Sequence, residues 1–192
     1  MKPVVYSLNF LNGRPIFMVL IAAALYMQAA AQDYFPSNKD SKIIVNIRNV
    51  GMNVEGILTG LEGTIHFTPT DLKASFFDVS IDANTINTGI DVRDENLKTD
   101  EYLAVKKFPR ISLSSRQISR APNAETYIFK GLLVIKGIGR EIIFPFRAKE
   151  ENNGWIFSGE LKINRSDFKI APASEVLSNA MTINLLVSAQ KK

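Results

Sequence analysis

The sequence predicts an all-β protein: a closed antiparallel barrel interrupted by one short helical insertion. Three observations carry that prediction. Apolar residues recur at every second position through most of the chain, the signature of half-buried antiparallel strands. The links between these runs are short and rich in Gly, Pro, Asn and Asp, so sequential strands lie side by side in a meander. A meander of about eight or nine strands leaves two edges open unless it closes on itself. At that strand number the closed interior is either filled with side chains or holds one small ligand.

The first segment is expected to lie outside the fold. Lys2 and Arg14 are its only cations, residues 16–27 form a short apolar run, and Ala29, Ala30 and Ala31 offer small residues at a cleavage site. This is the layout of a secretory signal peptide, residues 1–31, cut between Ala31 and Gln32. The run is short of the ~20 residues a spanning helix needs, so no integral span is expected after cleavage. The chain has no cysteine, which excludes a lipid-modified cysteine anchor and disulfides alike. The expected location is periplasmic or secreted. Residues 32–41 are polar, contain Pro36, and read as an N-terminal leader on the surface. Residues 42–192 are the barrel domain, long enough to bury an ordinary core.

Within that domain the strands follow in order. Ile43, Val45 and Ile47 alternate with polar neighbours; then come Val54, Gly56 and Leu58, and next Ile65 and Phe67. Phe77, Val79 and Ile81 alternate with Asp78, Ser80 and Asp82. Ile111 and Leu113 follow a polar stretch, then Phe129, Leu133 and Ile135, then Ile142, Phe144 and Phe146. Trp155, Phe157, Leu161 and Ile163 precede a last run, Met181, Ile183, Leu185 and Val187. Turns are expected at residues 60–63, 68–71, 137–139 and 152–154. Residues 94–105 break the period. Asp94 is the expected helix cap, Glu95 stands in the first turn, Lys106 and Lys107 follow, and Pro109 stops the segment. A second weak helix or loop is expected over 171–179.

The chemistry that could make this an enzyme is sparse. His66 is the sole histidine, so a histidine zinc cluster is excluded, and its place opposite Ile65 and Phe67 reads as solvent-facing. Gly137 and Gly139 sit between strands with no helix to follow, which favours a hairpin over a phosphate cradle. Asp91, Asp94, Glu95, Asp100 and Glu101 are the remaining carboxylates in one stretch. Beside Lys98, Lys106 and Lys107 they read as capping and solvation of a loop rather than as a metal or acid–base site. The formal net charge is +4, and two of the cations, Lys2 and Arg14, fall in the expected signal peptide. The rest are interspersed with acids, so no footprint for nucleic acid exists. No cofactor is expected. Apolar excess stands out instead: 12 Phe against 1 Trp.

Several blocks, in order, resemble the YceI-like family of exported lipocalin-like lipid-binding proteins. Ile43 to Asn49, then Gly56 and Leu58, look like its opening strands. Asn84-Thr85-Ile86-Asn87-Thr88-Gly89 is similar to a strand-end segment of the family. Arg93-Asp94-Glu95-Asn96-Leu97, the Phe108-Pro109 step, the hairpin Gly131 to Ile142 and Arg165-Ser166-Asp167-Phe168 match further elements. Three positions depart from the pattern: Asn49 replaces a histidine, Leu113 a phenylalanine, and Lys169 the glycine after the Arg-Ser-Asp-Phe block. The resemblance implies an eight-stranded barrel whose apolar tunnel holds a polyisoprenoid or similar amphiphile, with no enzymatic activity. The expected ligand-binding residues are Val45, Ile47, Asn49, Leu58, Phe67, Phe77, Val79, Leu113, Ile135, Phe144, Phe146 and Phe157. Arg165 and Asp167 are expected to clamp a strand end. The oligomeric state is left open. Competing readings are an eight-stranded outer-membrane barrel and an enzyme acting on an apolar substrate inside the barrel. The first would place Asp78, Ser80, Asp82, Glu160 and Lys162 against lipid, at up to a few kcal/mol each.

Overall fold

The alternating runs form strands in a computed structural model that describes residues 32–123 and 125–191. The expected signal peptide lies outside the described residues. In chain order the elements are β1 (Asp33–Pro36), β2 (Lys42–Asn49), β3 (Met52–Leu58), β4 (Glu62–His66), β5 (Phe76–Asp82), α1 (Asp91–Lys98), β6 (Arg110–Arg120), β7 (Thr126–Ile135), β8 (Ile138–Glu151), β9 (Gly154–Asn164) and β10 (Leu177–Gln190). Residues Gln32–Lys192 make one compact unit, with its own core.

The strands form one antiparallel sheet that closes through β1, which pairs with both β4 and β10. β10 is long enough to carry two partners along one edge. β2 lies against residues 177–186 and β1 against 189–190. β3 pairs with β2 and β4 with β1. So β1 and β2 are two halves of one barrel strand, and β3 and β4 are halves of the next. The result is the closed eight-stranded antiparallel barrel, with one short α-helix among the described residues.

Side chains repair the two breaks. The Asn38 carboxamide donates to the Leu61 carbonyl (2.9 Å) and accepts from the Leu61 N–H (2.6 Å), replacing one rung of backbone pairing. The Ser41 hydroxyl and the Ser188 N–H meet in the same way at the β10 side. At the second break the Arg110 guanidinium donates to the Gly60 carbonyl. Gly63 follows with φ +127°, and a Cβ there would stand 2.2 Å from the Asp78 carbonyl oxygen. Only glycine lets β4 and β5 pair at this point.

Two expectations fail here for one reason. Residues 32–41 are not a leader lying on the surface, because Asp33–Pro36 is the strand that closes the barrel. A four-residue strand is too short for its period to be read. His66 is not solvent-facing either. It is 4% exposed, because β1 pairs alongside it: its Nδ1 lies 3.0 Å from the Asp33 carboxylate, and its ring stacks on Phe76.

Beyond the end of β5, the edge of β3 that faces away from β2 meets only a single bridge, Ile57 to Asn87. Residues 83–109 cover that gap. Gly56 makes room for them, since a Cβ there would lie 2.9 Å from Ile86 Cδ1. Helix α1 begins earlier than expected, with Ile90 at its N-cap position and no side-chain cap. Asp94 is inside the helix and buried. Its carboxylate reaches back to accept from the Thr88 N–H (2.9 Å) and the Thr88 hydroxyl, so it locks the approach to the helix rather than capping it. The helix ends at Lys98, and residues 99–109 continue in turns closed by bonds such as Leu103 N–H to Leu97 O. After a 3-10 turn at Arg165–Phe168, residues 171–176 form a loop with no helix of their own, and β10 starts at Leu177.

The barrel has two unlike ends. At the floor, beyond β4, Phe67 lies with its ring 5.0–6.1 Å from Phe77, Tyr127, Phe146, Trp155 and Phe157, mostly edge-on, the geometry aromatic pairs prefer. At the upper end sit the β2–β3 turn, α1 and the 165–177 loop.

Candidate functional site: an apolar cavity with a polar mouth

Above the aromatic floor the inward side chains stop short of one another and leave a cavity of about 610 Å³. That is within the range of small-molecule sites. Each wall follows from strand period. β2 contributes Ile43, Val45 and Ile47, β5 Phe77, Val79 and Ile81, β6 Ile111 and Leu113, β7 Leu133 and Ile135, and β10 Met181, Ile183, Leu185 and Val187. Phe129, Phe144, Phe146 and Phe157 form its lower boundary.

Every expected ligand-binding residue except Phe67 borders this space. Phe67 is buried at the floor, sealed from the cavity by the rings that surround it. Its inward direction was legible from the alternation with His66. Its depth was not, because period two gives a face and not a height along the barrel axis.

Sequence reasoning missed the upper wall. Ile86, Thr88, Arg93, Asn96, Leu97, Tyr102 and Leu103 come from the segment that covers β3, and Ile170 to Ser174 from the loop before β10. The only available signal was the presence of spaced apolar residues, Ile86, Leu97 and Tyr102, inside an otherwise polar stretch.

Polar groups gather where the cavity opens. Asn96, Ser174 and Val176 both line it and are exposed, which locates the mouth between the tip of β2–β3, α1 and the start of β10. Asn49 stands there at the end of β2. Arg93 donates from Nε to the Thr88 hydroxyl (2.7 Å) and from a terminal nitrogen to the Thr88 carbonyl (2.9 Å). Thr88 in turn donates its hydroxyl hydrogen to Asp94.

Arg165 is the second polar anchor. It is 3% exposed and donates to the carbonyls of Ser178, Ile170, Ala171, Pro172 and Leu177 at 2.8–3.3 Å. It gathers the loop before β10 around itself. Asp167 is exposed and takes no part, so the clamp is Arg165 alone.

Two of the carboxylates near the mouth, Glu95 and Asp100, are paired with lysines. Glu95 pairs with Lys98 at 2.7 Å, which holds the ammonium above its ordinary range. Lys107 bonds Asp100 at 2.6 Å and holds that carboxyl below its ordinary range. Among the described residues no group of three or more His, Cys, Asp or Glu side chains is placed to hold a metal ion. His66 and Asp33 meet outside the cavity, at the floor end.

The sequence matches the YceI-like domain over residues 36–189. Among curated proteins it is similar to the UPF0312 protein YE1254 of Yersinia enterocolitica, 25% identical over 150 residues, covering 71% of this chain and 76% of that one. Among solved structures it is similar to BcnA of Burkholderia cenocepacia, with a TM-score of 0.77 at 19% identity, covering 81% of this chain and 99% of that one. A polyisoprenoid binding domain from Saccharophagus degradans has the same fold, with a TM-score of 0.68 at 14% identity, covering 83% of this chain and 98% of that one.

Proposed function

This chain belongs to the YceI-like domain family, and we propose that it is an exported, non-enzymatic binding protein that holds a polyisoprenoid or similar long-chain amphiphile in its barrel. The observation that carries this reading is the division of the cavity, apolar along its walls and polar at its mouth. An amphiphile is divided in the same way. Each buried methylene contributes ~0.8 kcal/mol, so the tail supplies the affinity. The polar end needs partners only to offset its desolvation, and Asn49 and Asn96 are within the mouth to provide them. The Saccharophagus degradans relative, described as polyisoprenoid binding, supports an isoprenoid as the first ligand to try.

Export rests on residues 1–31, whose charge and apolar run suit a signal peptide. The outward strand face opposes an outer-membrane barrel: Asp78, Glu160 and Lys162 are exposed there, and Arg116 pairs with Glu141 across the same surface. The reading is tested by native mass spectrometry of freshly purified protein, followed by lipid extraction. A bound mass that extracts as an isoprenoid or other long-chain lipid is expected. Protein that stays empty both when purified and when offered polyprenyl and fatty-acid probes would remove the proposal.

A further inference from the structure

We propose that the rim of the cavity mouth is a membrane-docking surface, and that its partner is the headgroup region of a lipid bilayer without net charge. The proposal rests on the lipid-binding reading above.

The observation is the distribution of exposed apolar side chains. Most of the large ones among the described residues sit at one end of the barrel: Val50 at 66%, Met52 at 70%, Ile90 at 52%, Val92 at 83% and Val176 at 56% exposure. Val50 and Met52 flank the β2–β3 turn. The Val50 N–H donates to the Val176 carbonyl at 2.9 Å, which joins that tip to the start of β10. The antiparallel bridge between Ile57 and Asn87 sends the following residues, toward Ile90 and Val92, along β3 in the direction of Met52. Ile90 and Val92 share a shallow depression with Arg93 and Asn96, and those two also line the cavity. The apolar rim is therefore continuous with the opening through which an apolar ligand must pass.

The size of the patch argues against a second copy of the chain as its partner. Stable protein interfaces use about 20–30 residues a side, and this rim presents a handful of side chains on the tips of turns. Projecting apolar tips suit shallow insertion at the boundary of headgroups and acyl chains. Charge then selects the surface. Arg48, Arg93 and Lys98 at this end are matched by Asp91, Glu95 and Glu175. Arg93 is already committed to Thr88, and Lys98 to Glu95. Across the same end Lys107 is paired with Asp100, and Lys136 donates to the Glu101 and Lys169 carbonyls, so among the described residues the apolar rim itself carries no basic cluster to seek anionic lipid. Docking is consequently apolar, and it brings the mouth to the bilayer so that a lipid passes between membrane and cavity without crossing water.

The test uses protein beginning at Gln32, the compact unit with its own core, so that the apolar run at residues 16–27 takes no part. It is floated with phosphatidylcholine vesicles, alone and in about 0.5 M salt, where surface charges are screened. The wild type is expected to float in both. Met52→Asp with Val92→Asp, neither of which lines the cavity, is expected to lower the bound fraction about tenfold, the loss of one or two buried apolar side chains. The same pair should slow transfer of a fluorescent polyprenyl probe out of labelled vesicles, while affinity for that probe delivered from ethanol is unchanged. A wild type that stays at the bottom of the gradient overturns docking. So does a double variant that floats as well as the wild type, or flotation that needs anionic lipid and disappears in salt. If sedimentation finds a dimer that the two substitutions dissociate, the rim is an interface between copies and the proposal is wrong. Flotation lost in the variant, with no probe entering either protein, leaves docking standing and removes the ligand reading instead.

Discussion

At the floor of this barrel Phe67 meets the rings of Tyr127, Trp155 and Phe157 near the axis, whereas a few residues higher Val45, Val79 and Leu113 border about 610 Å³ of open space. Both regions are made by inward side chains of the same alternating strands. The difference is reach. An aromatic ring extends to the axis and finds an edge or face from the opposite wall, while Val, Ile and Leu stop short. The wall also opens at the upper end, where β3 runs on past the end of β5 and the 83–109 segment fills the gap. A barrel of this size can thus be solid core at one end and binding site at the other, with side-chain length deciding which.

The largest expected effect breaks the floor. Phe67→Ala removes the ring that the others pack around and should cost ~3–5 kcal/mol, read as a fall in the denaturant midpoint. If the midpoint barely moves, the floor is not the core of the fold. Leu113→Ala, which already faces open space, should cost less than Phe67→Ala in the same measurement.

The next two act on the open end. Arg165→Ala strands buried carbonyls, each unmet acceptor costing ~1–3 kcal/mol, and should expose residues 170–178 to a protease that leaves the wild type intact. Equal resistance in both proteins would mean the loop holds itself. Val45→Phe brings a floor-like ring into the cavity. Displacing about two ligand methylenes at ~0.8 kcal/mol each lowers affinity for a polyprenyl probe about tenfold, with no loss of melting temperature because the ring enters empty space. A lower melting temperature would mean that this part of the barrel is already filled.

The smallest concerns Lys169, which stands in the left-handed region at φ 52°. The family resemblance expects glycine there, and the backbone gives the reason: a side chain strains that conformation. Lys169→Gly should raise stability by ~0.5–1 kcal/mol, the strain relief outweighing the entropy glycine adds to the unfolded chain. A decrease would mean that the lysine side chain makes a compensating contact.

How much of this was legible follows from what a two-residue period can report. It assigns a face, so the strands, the hairpin turns and most of the cavity lining could be read directly. Val45, Ile47, Leu58, Val79 and Leu113 all point where alternation places them. Period does not report where a strand bends, so β1 passed for a leader, and β3 and β4, halves of one barrel strand, passed for separate strands. Nor does it report partners distant in sequence. The bond from Asp94 to Thr88 and the burial of His66 under β1 depend on packing that local pattern does not encode. The division into floor and cavity was written in the residues, as rings against aliphatic chains. It could be read only once the strand register placed them at different heights.

Arg165 has one more consequence. It grips the loop before β10 only by main-chain carbonyls, and these are present whatever the side chains are. Ala171, Pro172 and Ala173, which face the ligand space from that loop, are thereby relieved of any duty to hold it in position. Selection can exchange them to suit a bulkier, thinner or more polar guest while the wall stays where it is. A single guanidinium so separates inheritance of the container from drift in its contents, and gives this architecture a place where new ligand preferences can accumulate at little structural risk.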